Sequence, residues 1–470
     1  MPRIVAFIEN DMYVRNFITS GAFDQIAALD GFSLCLASNV TKLKSAIAPE
    51  KVCGSYGRMQ HNISLIYHFN MISMRALKDK SHTFKIKSET NWFNESNNFK
   101  YAESYTRSEY ESIKEQIIGK FQNNQSLERI IQKQRPDLVI FPITGVEATG
   151  AELILLSRRY GFQTLFLING WDNLSSKGIF PLLPDCLGVW GPQSLLDAVN
   201  IQGIPFHQTA LIGCARYEDY FVPENASQKY FPHKYVLFAG SVTPCDEITP
   251  LRIFDQLLDV LKVNNLKIIY RPHPWREKRK CFDLFQPEDF KHVMLDPQVA
   301  KNYYKEKQQG TESVSSQNYP ELKYYPSLVN HAQFIISPMS SMILEAALFD
   351  VPALVLAHDD EVHPITPKRI AEFEHFQGAE EVPGWFFAKT LDAAGHLFKT
   401  MLHEFGDEVP ETRKLRPLLS YSIRRYLYED GYSYSQRLAL LADSILAKKT
   451  LRQSGDAAGT TAVAEASAAT

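Results

Sequence analysis

The stretch Phe334-Ile335-Ile336-Ser337-Pro338-Met339-Ser340-Ser341-Met342-Ile343-Leu344-Glu345-Ala346-Ala347-Leu348-Phe349-Asp350-Val351-Pro352-Ala353-Leu354-Val355-Leu356 decides how the chain is read. It spells strand, turn, helix, turn and strand in succession. The short apolar run at its start suits a buried parallel strand. Ser337-Pro338 breaks that run, and Ser340 and Ser341 stand where helix N-caps and first-turn residues stand. A helix start offers unpaired backbone N–H groups and the positive end of a dipole, which together bind an anion such as a diphosphate. Glu345 follows Ser341 by four residues, on the same face, and is the one charge in an otherwise apolar helix. Asp350-Val351-Pro352 ends the helix, and Ala353 to Leu356 form the next strand. Serine is also a common cap, so this unit alone fits a plain βαβ crossover equally well.

A second piece lies upstream. Leu266 to Tyr270 form an apolar strand with Arg271-Pro272-His273-Pro274 at its carboxyl end. Ligands of open α/β sheets bind at the carboxyl ends of strands, and an Arg and a His there can both donate to phosphate oxygens. A loop histidine fixed between two prolines is the plainer reading of His273.

Taken together, the His-Pro element, the Ser-Ser element and the helical Glu resemble the nucleotide-binding half of GT-B glycosyltransferases. The first two are similar to the elements of bacterial sialyltransferases, Kdo transferases and CDP-glycerol transferases. The Ser-Ser-x-x-x-Glu-Ala-Ala-x-x-x-x-Pro run is similar to lipid A disaccharide synthase and the UDP-GlcNAc 2-epimerases. The resemblance covers residues 235–356 closely and the rest by architecture. It implies that Arg271, His273, Ser340, Ser341 and Ser241 hold the donor phosphates and that Glu345 holds the ribose or a base edge. The His-Pro and Ser-Ser elements lean toward a cytidine nucleotide, the helical Glu toward uridine.

The chain has 470 residues, too long for one core of ordinary size, so two large domains are expected. Hydrophobic content of 45% and charge of 22% are those of a globular protein. A net charge of −3 argues against a general nucleic-acid binder. Cys35, Cys53, Cys186, Cys214, Cys245 and Cys281 form no Cys-x-x-Cys pair and no zinc spacing, which reads as reduced, structural thiols in a cytoplasm. No signal peptide is visible, and the most apolar helix, near Ile63 to Leu77, falls short of the roughly 20 residues a span needs. A peripheral contact with the inner face of a membrane stays open.

The first half alternates strands with helices, which implies a parallel sheet covered on both faces. Arg3 to Ile8 form the first strand, with Glu9-Asn10-Asp11 at its carboxyl end and a helix expected from about Val14 to Leu29. No Gly-x-Gly-x-x-Gly appears there. Asp11 is a candidate base for a sugar hydroxyl, with Arg15 nearby, or else an Asx-type cap. A polar helix is expected from about Arg107 to Gln134, and Glu147 reads as a first-turn residue favoured by the helix dipole or else as an acceptor contact. After the strand Thr164 to Ile168 comes Asn169-Gly170-Trp171-Asp172-Asn173-Leu174-Ser175-Ser176-Lys177-Gly178. This loop resembles a stretch found in GT-B-like proteins of bacterial surface-polysaccharide loci. Asp172 is the second candidate base, and Trp171, Asn173 and Lys177 are candidate contacts to acceptor or donor sugar; a self-bonded Asx loop is the plainer alternative.

The expected fold is therefore α/β, with two Rossmann-like domains facing each other across a cleft in the GT-B manner and the donor between them. The first domain spans 1–222 and takes the acceptor, 223–234 link the two, and 235–420 bind the nucleotide sugar. Helices within 421–450 cross back to the first domain, and 451–470 form a disordered tail. The expected activity is a glycosyltransferase of bacterial surface polysaccharide or glycoconjugate synthesis, with a saccharide or lipid-linked saccharide acceptor. No Asp-x-Asp sits in a suitable loop, so neither a metal nor a cofactor beyond the nucleotide-sugar substrate is expected. The alternatives are a CDP-glycerol-type phosphotransferase, a sugar-nucleotide epimerase, or a GT-B-like scaffold without catalysis.

Overall fold

A computed structural model describes residues 2–40, 47–90, 102, 104–241, 245–263, 265–273, 285–303, 321–363, 365–408, 410, 413 and 418–448. The basic cluster Arg276, Lys278, Arg279 and Lys280, the aromatics Trp92 and Phe93, the polar segment 305–319, Thr243, Cys281 and the tail 451–470 lie outside the described residues. The chain divides into two compact units: residues 1–80, 96–218 and 426–470 make the first, and 81–95 with 219–425 make the second.

The first unit is built on a parallel sheet of seven strands: β1 (Ile4–Ile8), β2 (Phe32–Ala37), β3 (Val52–Tyr56), β4 (Leu138–Ile143), β5 (Gln163–Ile168), β6 (Cys186–Val189) and β7 (Thr209–Leu211). They lie in the order β3-β2-β1-β4-β5-β6-β7. β1 and β4 are buried along their whole length, as expected of strands covered by helices on both faces. The order reverses between β1 and β4, so the loops after these strands flank a crevice at their carboxyl ends.

The helix over 434–448 belongs to this unit, since Tyr434, Leu438, Ala442 and Ile445 pack into the core formed by Ile4, Ala6, Phe32 and Leu138. Its approach is tied down where Tyr428 N donates to Trp190 O at 2.7 Å. A Cβ on Gly191 would meet the Tyr426 carbonyl at 2.5 Å, so only glycine admits the returning chain this closely.

The second unit repeats the plan with six parallel strands: β8 (Lys234–Ala239), β9 (Leu266–Arg271), β10 (Val293–Leu295), β11 (Ile335–Pro338), β12 (Ala353–Leu356) and β13 (Trp385–Ala388). Their order is β10-β9-β8-β11-β12-β13, with the reversal between β8 and β11. Both units are thus doubly wound Rossmann-like α/β domains.

Several expectations change. The helix expected from Val14 to Leu29 is broken into Asp11–Tyr13, a π-helical turn Val14–Thr19 and Asp24–Ala27, because Gly21 adopts φ +78° between the last two. The polar helix is two helices, Arg107–Gly119 and Gln125–Gln134, the second capped by the Asn124 side chain on Leu127 N. The second unit begins at Asp219 and also claims the helix His82–Glu89. There His82 N donates to Glu374 Oε2 at 2.8 Å, Glu374 N to Thr83 Oγ1 at 2.8 Å, and Arg369 pairs with Glu89 at 3.2 Å. Such long-range pairing has no local periodicity to announce it.

The cysteine expectation is also corrected. Cys35 on β2 and Cys53 on β3 form a disulfide, with Cα atoms 5.7 Å apart. A register shift between Leu34 and Cys35 brings the two side by side on neighbouring strands, and this removes the thiol argument for a reducing compartment. Cys186, Cys214 and Cys245 are free and buried. Among the described residues no helix is long and apolar enough to cross a membrane.

Candidate functional site

The strands of the second unit are parallel, so the described residues that follow β8, β9, β11 and β12 stand at the carboxyl edge of the sheet. β11 ends at Pro338, and Ser341 stands at the N-cap of the six-residue helix Met342–Ala347 without making a side-chain capping bond. Ser337 Oγ donates to Ala239 O at 2.8 Å, which ties the ends of β8 and β11 together. The Ser337 and Ser340 hydroxyls lie 2.8 Å apart. Ser340 and Ser341 are half-buried, and His273 is half-buried two residues past the end of β9. These three residues are the sequence-predicted ligands that stand at the crevice edge.

The others are committed elsewhere. Arg271 is buried, with its guanidinium 2.8 Å from Asp296 Oδ2, bonded to the Tyr325 hydroxyl and 4.4 Å over the Tyr325 ring. It therefore works as an interior ion pair, and the expected phosphate contact does not fit this arrangement. Two apolar strands forced a charged residue into the core, and only a partner such as Asp296 makes that tolerable. Ser241 is buried, and its backbone N–H donates at 3.0 Å to Glu247 Oε1, while Tyr270 OH donates to Glu247 Oε2 at 2.8 Å. Glu247 thus occupies the cradle of the Gly-Ser turn; a Cβ on Gly240 would come within 2.6 Å of it. Glu345 is buried and accepts the hydroxyl of Tyr220, whose ring stacks on Phe349 at 5.6 Å. Its expected ribose contact does not fit this buried pairing.

The loop after β12 adds further polar groups. Asp360 accepts from Asp246 N at 3.0 Å and lies 2.8 Å from His363 Nδ1. Burial would raise the Asp360 pKa, but these hydrogen bonds hold it below its ordinary value. His358 is buried, its Nδ1 lacks a hydrogen-bond partner among the described residues, and burial lowers its pKa against the pull of Asp360, Asp246 and Asp359. Among the described residues no group of His, Cys, Asp and Glu has the spacing of a metal site.

In the first unit the loops singled out from sequence do come together. Asn16 Nδ2 donates to Asn169 Oδ1 at 2.8 Å, and Arg15 Nη1 donates to Asn16 Oδ1 at 3.1 Å, so the loops after β1 and β5 are neighbours. Asp11 opens the first helical turn and is half-buried, while Asn10 supplies the cap to Tyr13 N at 3.0 Å. Asp172 is engaged within its own loop by Asn173 Nδ2 at 3.1 Å, Ser176 Oγ at 3.0 Å and Lys177 Nζ at 3.5 Å. Asn173 is buried and accepts from Gly170 N at 2.6 Å. This is the self-bonded turn, with Lys177 half-exposed at its rim. Trp171 is buried edge-on against Tyr426 at 5.2 Å. It packs the unit, and the expected contact to acceptor or donor sugar does not fit this buried position.

At the β1/β4 crevice the structure gathers carboxyl groups, of which Glu9 and Glu152 were not chosen from sequence. Glu147, at the N-cap position of the helix Ala148–Tyr160, accepts from the backbone N–H groups of Thr144 (2.9 Å), Gly145 (3.1 Å) and Val146 (3.1 Å), from Thr144 Oγ1 and from the Tyr13 hydroxyl. Glu152 accepts from Asn62 Nδ2 at 2.7 Å and Asn124 Nδ2 at 2.9 Å; burial raises its pKa and those two bonds oppose the rise. Glu9 directly follows β1, is buried, and has Arg58 Nη1 3.6 Å from Oε1. Burial first and the Glu147 charge second push its pKa up to about 7. The available signal was a carboxylate set directly after five apolar strand residues.

No family model matches the chain, and none of the curated proteins matches it. Among solved structures it is similar to the UDP-GlcNAc 2-epimerase of Methanocaldococcus jannaschii, at 10% identity over 93% of this chain and 99% of that one, with a TM-score of 0.46. It is also similar to CalG4, the calicheamicin glycosyltransferase, at 12% identity over 95% and 98% of the two chains, TM-score 0.46. A third is the glycosyltransferase of kitacinnamycin, at 11% identity over 94% and 99%, TM-score 0.47. These likenesses concern architecture and assign no residue.

Proposed function

We propose that the chain is an enzyme acting on a nucleotide-activated sugar, and specifically a glycosyltransferase whose donor binds at the carboxyl ends of β8, β9 and β11. The observation that carries this reading is the Ser337–Ser341 turn. It lies where the order of the second sheet reverses, and its Ser340 and Ser341 stand together at the crevice edge. Hydroxyls and backbone N–H groups at such a turn suit a diphosphate, and His273 at the end of β9 adds a donor. In the transfer step these groups stabilise the negative charge that the departing nucleotide gains, an effect realised only as the sugar–phosphate bond breaks. A saccharide or lipid-linked saccharide, as in surface-polysaccharide synthesis, is the acceptor this reading calls for.

The test is calorimetric titration of the full chain with CMP, CDP, UDP, GDP and ADP, repeated on His273→Ala and Ser341→Ala. One nucleotide should bind, and each variant should weaken it about tenfold, equivalent to about 1.4 kcal/mol. Nucleotide binding untouched by both variants would sink this donor site. Conversion of a donor sugar with no acceptor added would favour the epimerase reading, and binding without any turnover the scaffold reading.

A further inference from the structure

The first unit carries a cavity of about 360 Å³ between the end of the helix Gln60–Ala76, the start of the helix Arg107–Gly119 and the stretches 179–183 and 201–203. All its lining residues belong to this unit, and Glu9, Glu147 and Glu152 are not among them. Small-molecule sites have volumes of this order. The cavity is open to solvent: Lys80, Arg107 and Gly203 on its rim are exposed, and a Cβ placed on Gly203 would meet no atom within 4 Å.

Its floor is apolar and fixed. Phe180, Ile201 and Tyr110 are buried there. The Tyr110 ring stacks on Phe69 at 6.2 Å, and its hydroxyl lies 3.1 Å from Ser73 Oγ. Gln202 commits its whole amide to backbone: Nε2 donates to Leu174 O at 2.6 Å and to Gly178 O at 2.8 Å, and Oε1 accepts from Phe180 N at 2.9 Å. A wall held in this way loses little freedom when a ligand arrives. The rim, in contrast, is cationic. Lys80, Arg107 and Lys114 line it against one acid, Glu111. Glu111 Oε2 lies 3.5 Å from Lys114 Nζ, whereas Lys80 Nζ meets the Asn200 carbonyl at 3.4 Å. Among the described residues neither Lys80 nor Arg107 has an acidic partner. Two uncompensated positive charges thus border an apolar recess, and both groups donate strongly to carboxylate and phosphate oxygens.

We propose that this cavity is a binding site for a small amphipathic organic anion. Its apolar body, aromatic or aliphatic, fills the recess over Phe180 and Tyr110, and its phosphate or carboxylate stays at the rim beside Lys80 and Arg107. A neutral ligand would leave the two charges uncompensated, and an inorganic anion would leave the apolar floor unfilled. The site shares no residue with the donor site proposed above and does not depend on the glycosyltransferase reading.

The experiment is calorimetric titration of the full chain with 1-naphthyl phosphate and octyl phosphate, beside the uncharged 1-naphthol and octanol and inorganic phosphate. One of the organic phosphates should bind, and which one does tells an aromatic occupant from an aliphatic one. The matching alcohol and inorganic phosphate should bind about tenfold more weakly or worse. Lys80→Glu and Arg107→Glu should each weaken the phosphate about tenfold, and added salt should weaken it further. Ala76→Phe fills the recess, keeps every charge and should abolish binding. Lys80 and Arg107 are exposed and Ala76 is half-buried, so thermal unfolding should show all three variants folded; if Ala76→Phe is not, the two charge variants decide. Ser341→Ala should leave the titration unchanged. Absence of binding by both organic phosphates, equal binding of the uncharged alcohol, or binding kept in all the folded cavity variants overturns the proposal. Binding lost in Ser341→Ala and kept in the cavity variants also overturns it, and places the phosphate in the donor crevice instead. A chain that binds no nucleotide defeats the donor reading and leaves this result standing.

Discussion

The two units share one winding scheme, yet their crevices differ in chemistry. At the β1/β4 reversal of the first unit stand Glu9, Glu147 and Glu152. At the β8/β11 reversal of the second stand Gly240, Ser241, Ser337, Ser340 and Ser341, with the Glu247 carboxylate turned inward onto Ser241 N and the Tyr270 hydroxyl. The difference teaches that topology supplies the position and short loops supply the function. A crevice of acids repels a phosphate and handles protons, whereas one of hydroxyls and backbone N–H groups suits an anion. The same contrast explains why Arg271, at the end of β9, is not free to serve as a phosphate clamp: it neutralises Asp296 inside the second unit.

The harshest way to break this comparison is to remove one half of that pair. Asp296→Ala would leave the Arg271 guanidinium buried without its counter-charge, and Arg271→Ala would strand Asp296. Each should cost about 3–5 kcal/mol, read by chemical denaturation and confined to the second unit in hydrogen exchange. If Arg271→Ala instead left stability intact and abolished only nucleotide binding, the residue would be a ligand after all, and the second crevice would be more cationic than drawn.

A somewhat smaller effect is expected at Glu9. Its pKa is 4.5 in an unfolded chain and about 7 here. Between those values the folded state keeps a proton that the unfolded state has lost. Stability is therefore greatest below 4.5 and declines as pH rises to about 7. The loss is on the order of 3 kcal/mol, at 1.36 kcal/mol per pKa unit. Glu9→Gln should abolish this slope and leave the first unit more stable than wild type above neutrality, as thermal unfolding across pH would show. His358 in the second unit works the other way. Its pKa is lowered by burial, so the unfolded state binds the proton first, and stability is present at higher pH and lost as pH falls below the unfolded value of 6.5. Unit-resolved hydrogen exchange should show acid loosening the second unit in wild type and sparing it in His358→Asn. Parallel pH slopes in the two units would remove the electrostatic contrast between them.

How far this was legible in the sequence follows the same division. The central strands β1, β2, β4, β5, β8, β9, β11 and β12 are apolar runs that announce themselves. Three of the edge strands did not: Val52-Cys53-Gly54-Ser55-Tyr56 is interrupted by Gly and Ser, β10 is three residues long, and β13 begins directly after Pro383-Gly384. An edge strand covers less of the core and needs less apolar sequence. Site residues were legible as positions at strand ends, but not as orientations. Glu9 and Asp11 stand two residues apart, and only the fold shows that Glu9 is buried and Asp11 half-exposed. Arg271 and Asp296 are 25 residues apart, as their shared hydrogen bond records. Glu345 meets Tyr220 across 125 residues. Such partners decide whether a polar side chain is presented or consumed.

The smallest stability effect is expected at Ser341, where it is also the most telling. A serine acting as a helix cap is worth about 1 kcal/mol over alanine. Here Ser341 occupies the N-cap position with φ −63° and ψ −17°, and its hydroxyl makes no capping bond to the helix Met342–Ala347. The hydroxyl therefore contributes little to the helix, and Ser341→Ala should change stability by less than about 0.5 kcal/mol. Under the donor-site reading the same substitution weakens nucleotide binding about tenfold. The conservative Ser341→Thr variant should keep most of that affinity, since it retains the hydroxyl. A fall in stability of the full capping value in Ser341→Ala, with nucleotide affinity untouched, would return the turn to an ordinary crossover and erase the difference between the two crevices on the anion-binding side.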